Sequence, residues 1–141
     1  MIGAVVDTST IISAVGWEGK PQQIVDKCLD KEFKLVTSPE ILEEVRGVLF
    51  RPKFDFIDAD RKNEFLLLLS QLAEIVIPKH KVEICRDKDD NKFIELALTA
   101  RVKIIVSSDE DLLILKEYKD IKILSPSEFL GFLKEKKVRS E

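Results

Sequence analysis

The chain has 141 residues, 45% hydrophobic and 35% charged, which suits one folded domain with a real core and excludes a disordered, low-complexity chain. Its formal charge of −3 excludes a general basic affinity for polyanions, so a nucleic-acid role requires a local cationic patch or metal ions to offset acids. No apolar run approaches the roughly 18 to 20 residues that span a bilayer.

The opening MIGAVVDTST has no basic n-region, so no signal peptide is expected. Cys28 and Cys85 lie far apart without CxxC spacing, which argues against a disulfide framework or a zinc site and suits a reducing cytoplasm.

Along the chain, short β-branched runs alternate with longer helical periods. IGAVV (2–6) reads as a buried strand, being continuous, apolar and cut off at Asp7. A short helix is expected over 10–15, and another from Pro21 to about Lys31, with the proline in its first turn. FKLVT (33–37) is a second strand, and Ser38-Pro39 caps a helix through Leu49. RPKFDF interrupts, and Asp58 starts a helix over 59–73. EIVIP (74–78) is a third strand or edge piece, followed by a helix over 89–101. KIIVSS (103–108) is a buried strand, with a helix expected over 110–118 and a last strand over 121–124. Ser125-Pro-Ser-Glu128 is a capping box for the final helix, and KEKKVRSE (134–141) is expected to fray beyond a single domain over 1–133.

Strands separated by helical crossovers predict a parallel α/β sheet with helices on both faces. Ligands of such sheets bind at the carboxyl ends of the strands. Asp7 and Asp109 stand at the ends of the two most apolar strands. For either aspartate alone, a helix N-cap is an equally good explanation; two at equivalent places favour a shared site.

Helical angles sort the other acids. Asp90 projects roughly 35° from the centre of its helix's apolar face and Asp89 roughly 65°. Glu44 lies on a face boundary at roughly 100°, and Glu43 points outward at roughly 160°. Asp87 falls in the preceding loop, where complementing the helix dipole suffices to explain it. Asp7, Glu44, Asp90 and Asp109 can thus meet at one sheet edge. Clustered carboxylates raise one another's pKa, and an oxygen-only cup selects Mg²⁺ or Mn²⁺ over zinc and suits phosphodiester hydrolysis. His80 is the only histidine, which excludes a histidine-pair nuclease and leaves Ser9, Ser107 and Ser108 without a nearby base.

These segments resemble the motifs of the PIN domain, the fold of VapC-type toxins and related nucleases. VVDTSTIISA matches the first motif at Asp7, TSPEILEEVRGVLFRPKF the second at Glu44, DKDDNKFIELALTA the third at Asp90, and IIVSSDEDLL the fourth at Ser107 and Asp109. The resemblance spans nearly the whole chain; Ser108 stands where the family often has glycine. It implies a three-layer α/β/α sandwich with a mainly parallel sheet of four to five strands. It also implies a Mg²⁺- or Mn²⁺-dependent ribonuclease, a homodimer and an antitoxin partner. Asp7, Asp90, Asp109 and Glu44 would serve as metal ligands and catalytic groups, with Ser9, Ser107 and Asp111 as accessories. Arg46, Arg51 and Lys53 are candidates for gripping RNA, with solvated surface charge as the plain alternative. Trp17 is a candidate for stacking on a base, or a core or interface plug. Phe50, Phe54, Phe56 and Phe65 read as core, dense enough to leave a partner surface. Two rival readings remain: a non-catalytic PIN-like module that binds RNA or a partner, and a receiver-type phosphotransfer domain.

Overall fold

In the computed structural model, which describes residues 1–140, helices cover both faces of one six-stranded sheet. Strand β1 (Gly3–Val6) leads into α1 (Thr8–Gly16) and α2 (Lys20–Leu29), and β2 (Lys34–Thr37) into α3 (Pro39–Leu49). A 3₁₀ turn at Pro52–Phe54 precedes α4 (Ala59–Leu72) and the short β3 (Glu74–Ile75). A second 3₁₀ turn, Lys88–Asp90, runs into α5 (Asn91–Ala100). The chain closes with β4 (Ile104–Val106), α6 (Glu110–Leu113), β5 (Glu117–Tyr118), β6 (Ile121–Leu124) and α7 (Pro126–Ser140).

The strand order is β3-β2-β1-β4-β6-β5, parallel throughout except for the β5–β6 pair. From β1 the chain winds outward through β2 to β3, then crosses back by way of α5 to β4 on the other side of β1. Right-handed crossovers therefore put the helices of the two halves on opposite faces. The crevice between the carboxyl ends of β1 and β4 is the point where the winding reverses, the place where open α/β sheets bind ligands. Apolar runs explain why these two strands are central: Ala4, Val5, Ile105 and Val106 are fully buried, and α5 packs Ile94, Leu96 and Ala97 into the same core.

Two expected elements differ. The helix expected over 110–118 stops at Leu113, because Lys116 and Lys119 adopt left-handed backbone (φ 61° and 54°) and the chain folds back as the antiparallel β5–β6 pair. This adds a sixth strand to the four or five anticipated. Of the tail expected to fray, 134–140 is helical and continuous with α7, and residue 141 lies outside the described residues. The capping box that starts α7 is present: Glu128 N–H donates to Ser125 Oγ (3.1 Å) and Ser125 N–H to Glu128 Oε1 (2.9 Å), which lowers the Glu128 pKa.

The third strand is shorter than its sequence suggests. After Ile75 the chain runs extended alongside α5 and is held by side chains spaced one helical turn apart. Thr99 Oγ1 accepts from Lys79 N–H (2.9 Å), Glu95 Oε2 from Val82 N–H (3.0 Å), and Asn91 Oδ1 from Ile84 and Cys85 N–H (3.1 and 2.9 Å). This strap delivers the chain to Asp87 and the turn that carries Asp90. No helix among the described residues is long and apolar enough to cross a membrane.

Candidate active site

Four acids from four segments line one cleft of about 520 Å³ above the ends of β1 and β4: Asp7, Glu44, Asp90 and Asp109. Asp7 ends β1 because its side chain caps α1, Oδ1 accepting from Thr10 N–H at 3.0 Å. Its Oδ2 accepts from Ser107 Oγ at 2.5 Å. The same Ser107 hydroxyl accepts from Asp109 N–H at 2.9 Å. One fully buried serine thus ties together the two strand-end aspartates. Burial pushes the Asp7 pKa up, helped by the Asp109 charge, against the hydrogen bonds from Ser107 and Thr10 that pull it down. Asp109 caps α6, its Oδ1 accepting from Asp111 N–H at 2.9 Å.

Asp90 is different. It occupies the N-cap position of α5 yet makes no capping bond, so the structural explanation that serves Asp7 and Asp109 fails here. The residue is 6% exposed, and among the described residues its Oδ2 is buried without a hydrogen-bond partner. Burial, then the charges of Asp109 and Asp87, push its pKa up to about 7. An orphaned carboxylate oxygen among other carboxylates is costly to a protein unless something cationic meets it. The donors are all oxygens, which fits a hard divalent cation such as Mg²⁺ or Mn²⁺ and does not fit a thiolate- or imidazole-seeking metal.

Glu44, half-buried on α3, accepts hydrogen bonds from the Thr8 hydroxyl and from Lys92 Nζ. Lys92 comes from α5, the helix that Asp90 opens, and so joins the second-motif acid to the third-motif segment. Sequence reasoning did not find Lys92, because a lysine at the start of an amphipathic helix carries no distinguishing pattern.

The tightest acidic group in the described chain is not the expected quartet. Carboxylate oxygens of Asp87, Asp90 and Asp111 lie within 4.8 Å of one another. Asp111 was anticipated as an accessory; Asp87 was assigned only to the dipole of the following helix. It does cap its turn, Oδ1 accepting from Asp89 N–H at 3.0 Å, and it also stands beside Asp90. Arg86 covers part of this charge, contacting Asp111 Oδ1 through Nε (2.6 Å) and its terminal nitrogen (2.5 Å). Asp90 therefore feels the charges of Asp109, Asp87 and Asp7, with an Asp111 oxygen also within 4.8 Å.

Of the accessory residues, Ser9 lines the cleft and Ser107 lies beneath it. Of the anticipated cations, Lys53 lines the cleft, whereas Arg46 and Arg51 are exposed and outside its lining. His80, on the strap, is exposed, its Nδ1 2.9 Å from Thr99 Oγ1 of α5. Phe54 is core as expected, but Phe50 and Phe56 are exposed.

Fold and site together define an α/β domain with carboxylates gathered at the switch point of a mainly parallel sheet. The chain belongs to the PIN domain family, whose model matches residues 3–111. PIN domains are generally nucleases, which places this protein among hydrolases of the nuclease kind. It is 31% identical over 140 residues to the uncharacterized protein MJ1680 of Methanocaldococcus jannaschii, covering 92% of this chain and 90% of that one. The crystal structure of PAE2754 from Pyrobaculum aerophilum shares its fold, with a TM-score of 0.65, 15% identity, and coverage of 95% of this chain and 90% of that one.

Proposed function

We propose that this protein is a divalent-metal-dependent ribonuclease that hydrolyses RNA phosphodiesters, and that it acts as the toxin of a toxin–antitoxin pair. The observation that supports it best is the buried, unpartnered Oδ2 of Asp90 in a cleft shared with Asp7, Glu44 and Asp109. In this reading Asp7, Asp90 and Asp109 hold Mg²⁺ or Mn²⁺, with Glu44 completing a second position. When bound, such an ion lowers the pKa of water and offsets charge on the phosphate under attack.

The chain's own residues supply the rest. Ser107 fixes the Asp7 carboxylate against the main chain of Asp109, whose own carboxylate is held by the Asp111 N–H, so that little reorganisation is needed as substrate arrives. One of the cleft carboxylates would orient the attacking water or take its proton. Lys92 holds Glu44 toward the cleft and brings positive charge to a site otherwise repellent to phosphate. Lys53 offers a second cation at the rim.

The toxin reading brings with it a homodimer, a cytoplasmic setting and an antitoxin partner. Its support is the exposed apolar surface of Leu67 on α4 and of Ile75 and Ile77 along the sheet-edge segment. Incubation of the protein with single-stranded RNA tests the reading. Cleavage is expected with Mn²⁺ or Mg²⁺, is lost in EDTA, and is lost in Asp7→Asn and Asp90→Asn. Cleavage that persists in EDTA or in both variants defeats it. Autophosphorylation from a small phosphodonor would instead favour a receiver-type protein. Mass measurement in solution, alone and with a co-expressed neighbour, tests the dimer and the partner.

A further inference from the structure

We propose that Trp17 is a stacking platform for an unpaired nucleobase of the strand whose phosphate sits at the carboxylates. This rests on the nuclease reading above and narrows its substrate to RNA that is single-stranded beside the scissile bond. Trp17 lines the same cleft as the four acids, yet is 52% exposed, a poor place for an indole unless something covers it.

The platform is built rather than draped. Trp17 packs edge-on against buried Phe54 (centroids 6.1 Å apart, 77° between planes) and tilted against Phe56 (5.7 Å, 58°). Gly16 sits close under the same group: a Cβ there would lie 3.2 Å from Ile57 Cδ1, which would have to shift slightly, and in ordinary contact with Phe56 at 3.5 Å. From α4, Arg61 donates to the Val15 carbonyl at 3.1 Å and pins the end of α1 from which Trp17 projects. With two rings against it and the helix end pinned, the indole is held at the cleft wall, so that stacking a base on it would cost little entropy.

The surroundings favour a nucleotide strand over another protein surface. The indole lies in a concave crevice whose volume is in the range of small-ligand sites. Lys53, beside it in the lining, sits 5.1 Å from the Phe54 ring centroid and supplies the cation that a phosphate between base and carboxylates requires. Aromatic platforms next to cationic grooves are how single strands are held without sequence readout, since every base has a π-face.

Trp17 is the only tryptophan, so its own fluorescence reports the contact. The Asp7→Asn chain with Mg²⁺ is titrated with an RNA decamer of adenosines and with the same decamer carrying abasic positions. Quenching by the first and not the second is expected. In the otherwise native chain, Trp17→Ala should raise KM roughly tenfold with kcat retained, and Trp17→Phe should restore most of the loss. Thermal unfolding confirms that both variants fold. Equal quenching by both decamers, or an unchanged KM in Trp17→Ala, overturns the platform while leaving the nuclease intact. A dimer that Trp17→Ala converts to monomer, with KM unchanged, also overturns it and assigns the indole to a copy–copy contact. Failure of the native chain to cut or bind any decamer overturns the nuclease reading together with the platform.

Discussion

The two walls of the cleft treat their carboxylates in opposite ways. On the β1–β4 wall, Asp7 and Asp109 are bonded into the fold: each caps a helix, and Ser107 joins them. On the α5 wall, Asp90 is buried like Asp7 and more deeply than Asp109. Among the described residues its Oδ2 has no hydrogen-bond partner, and the Asp109, Asp87 and Asp7 carboxylates beside it raise its pKa. The first wall is tied by its own hydrogen bonds and fixes geometry, although burial raises the Asp7 pKa as well. The second is held in an unfavourable state by the rest of the fold, the condition expected of a group reserved for a ligand.

Substitutions should separate the walls. Asp90→Asn is expected to lower RNA cleavage by roughly 10²- to 10⁴-fold and yet raise the melting temperature of the metal-free protein, because it removes a charge that nothing compensates. Asp7→Ala should abolish cleavage as well but lower the melting temperature, losing a helix cap worth roughly 0.5–2 kcal/mol. If both variants move stability the same way, the contrast fails. Ser107→Ala should reduce cleavage by roughly 10- to 100-fold through misplaced aspartates, without removing a carboxylate.

The pH dependence follows from the raised Asp90 pKa. Between about 4 and about 7 the folded carboxyl keeps a proton that the unfolded chain has released. Its contribution to metal-free stability is complete below its ordinary value of 3.8 and is lost as pH rises through about 7. Urea melts across this range should show the decline, and Asp90→Asn should lessen it, leaving the part that comes from the raised Asp7 pKa. Added Mn²⁺ should stabilise more at pH 8 than at pH 6, since protons compete for the ligand oxygens. The smallest effect is expected from Arg86→Ala. It breaks an ion pair with Asp111 that is largely open to water, so it should shift stability by less than about 1 kcal/mol.

The strand ends were readable because an apolar run that stops at an aspartate has few places to go in a parallel sheet. Helical angle was enough to turn Asp90 inward and to leave Glu44 on a boundary, since a helix fixes direction locally. Three features were not readable. Asp87 joins Asp90 only because the strap sets the approach of its turn. Lys92 reaches Glu44 across 48 residues of sequence. The fold-back after Leu113 depends on left-handed lysines, which no local preference announces. Each of these is decided by tertiary packing rather than by period or composition.

The strap along α5 has an evolutionary corollary. Its grip is on main-chain amides, and the acceptors all belong to the helix. Most residues from 79 to 85 are therefore interchangeable as far as this anchoring goes, and relatives can diverge there without dislodging the acids downstream. Proline at 79, 82, 84 or 85 is the exception, because it has no amide hydrogen to give.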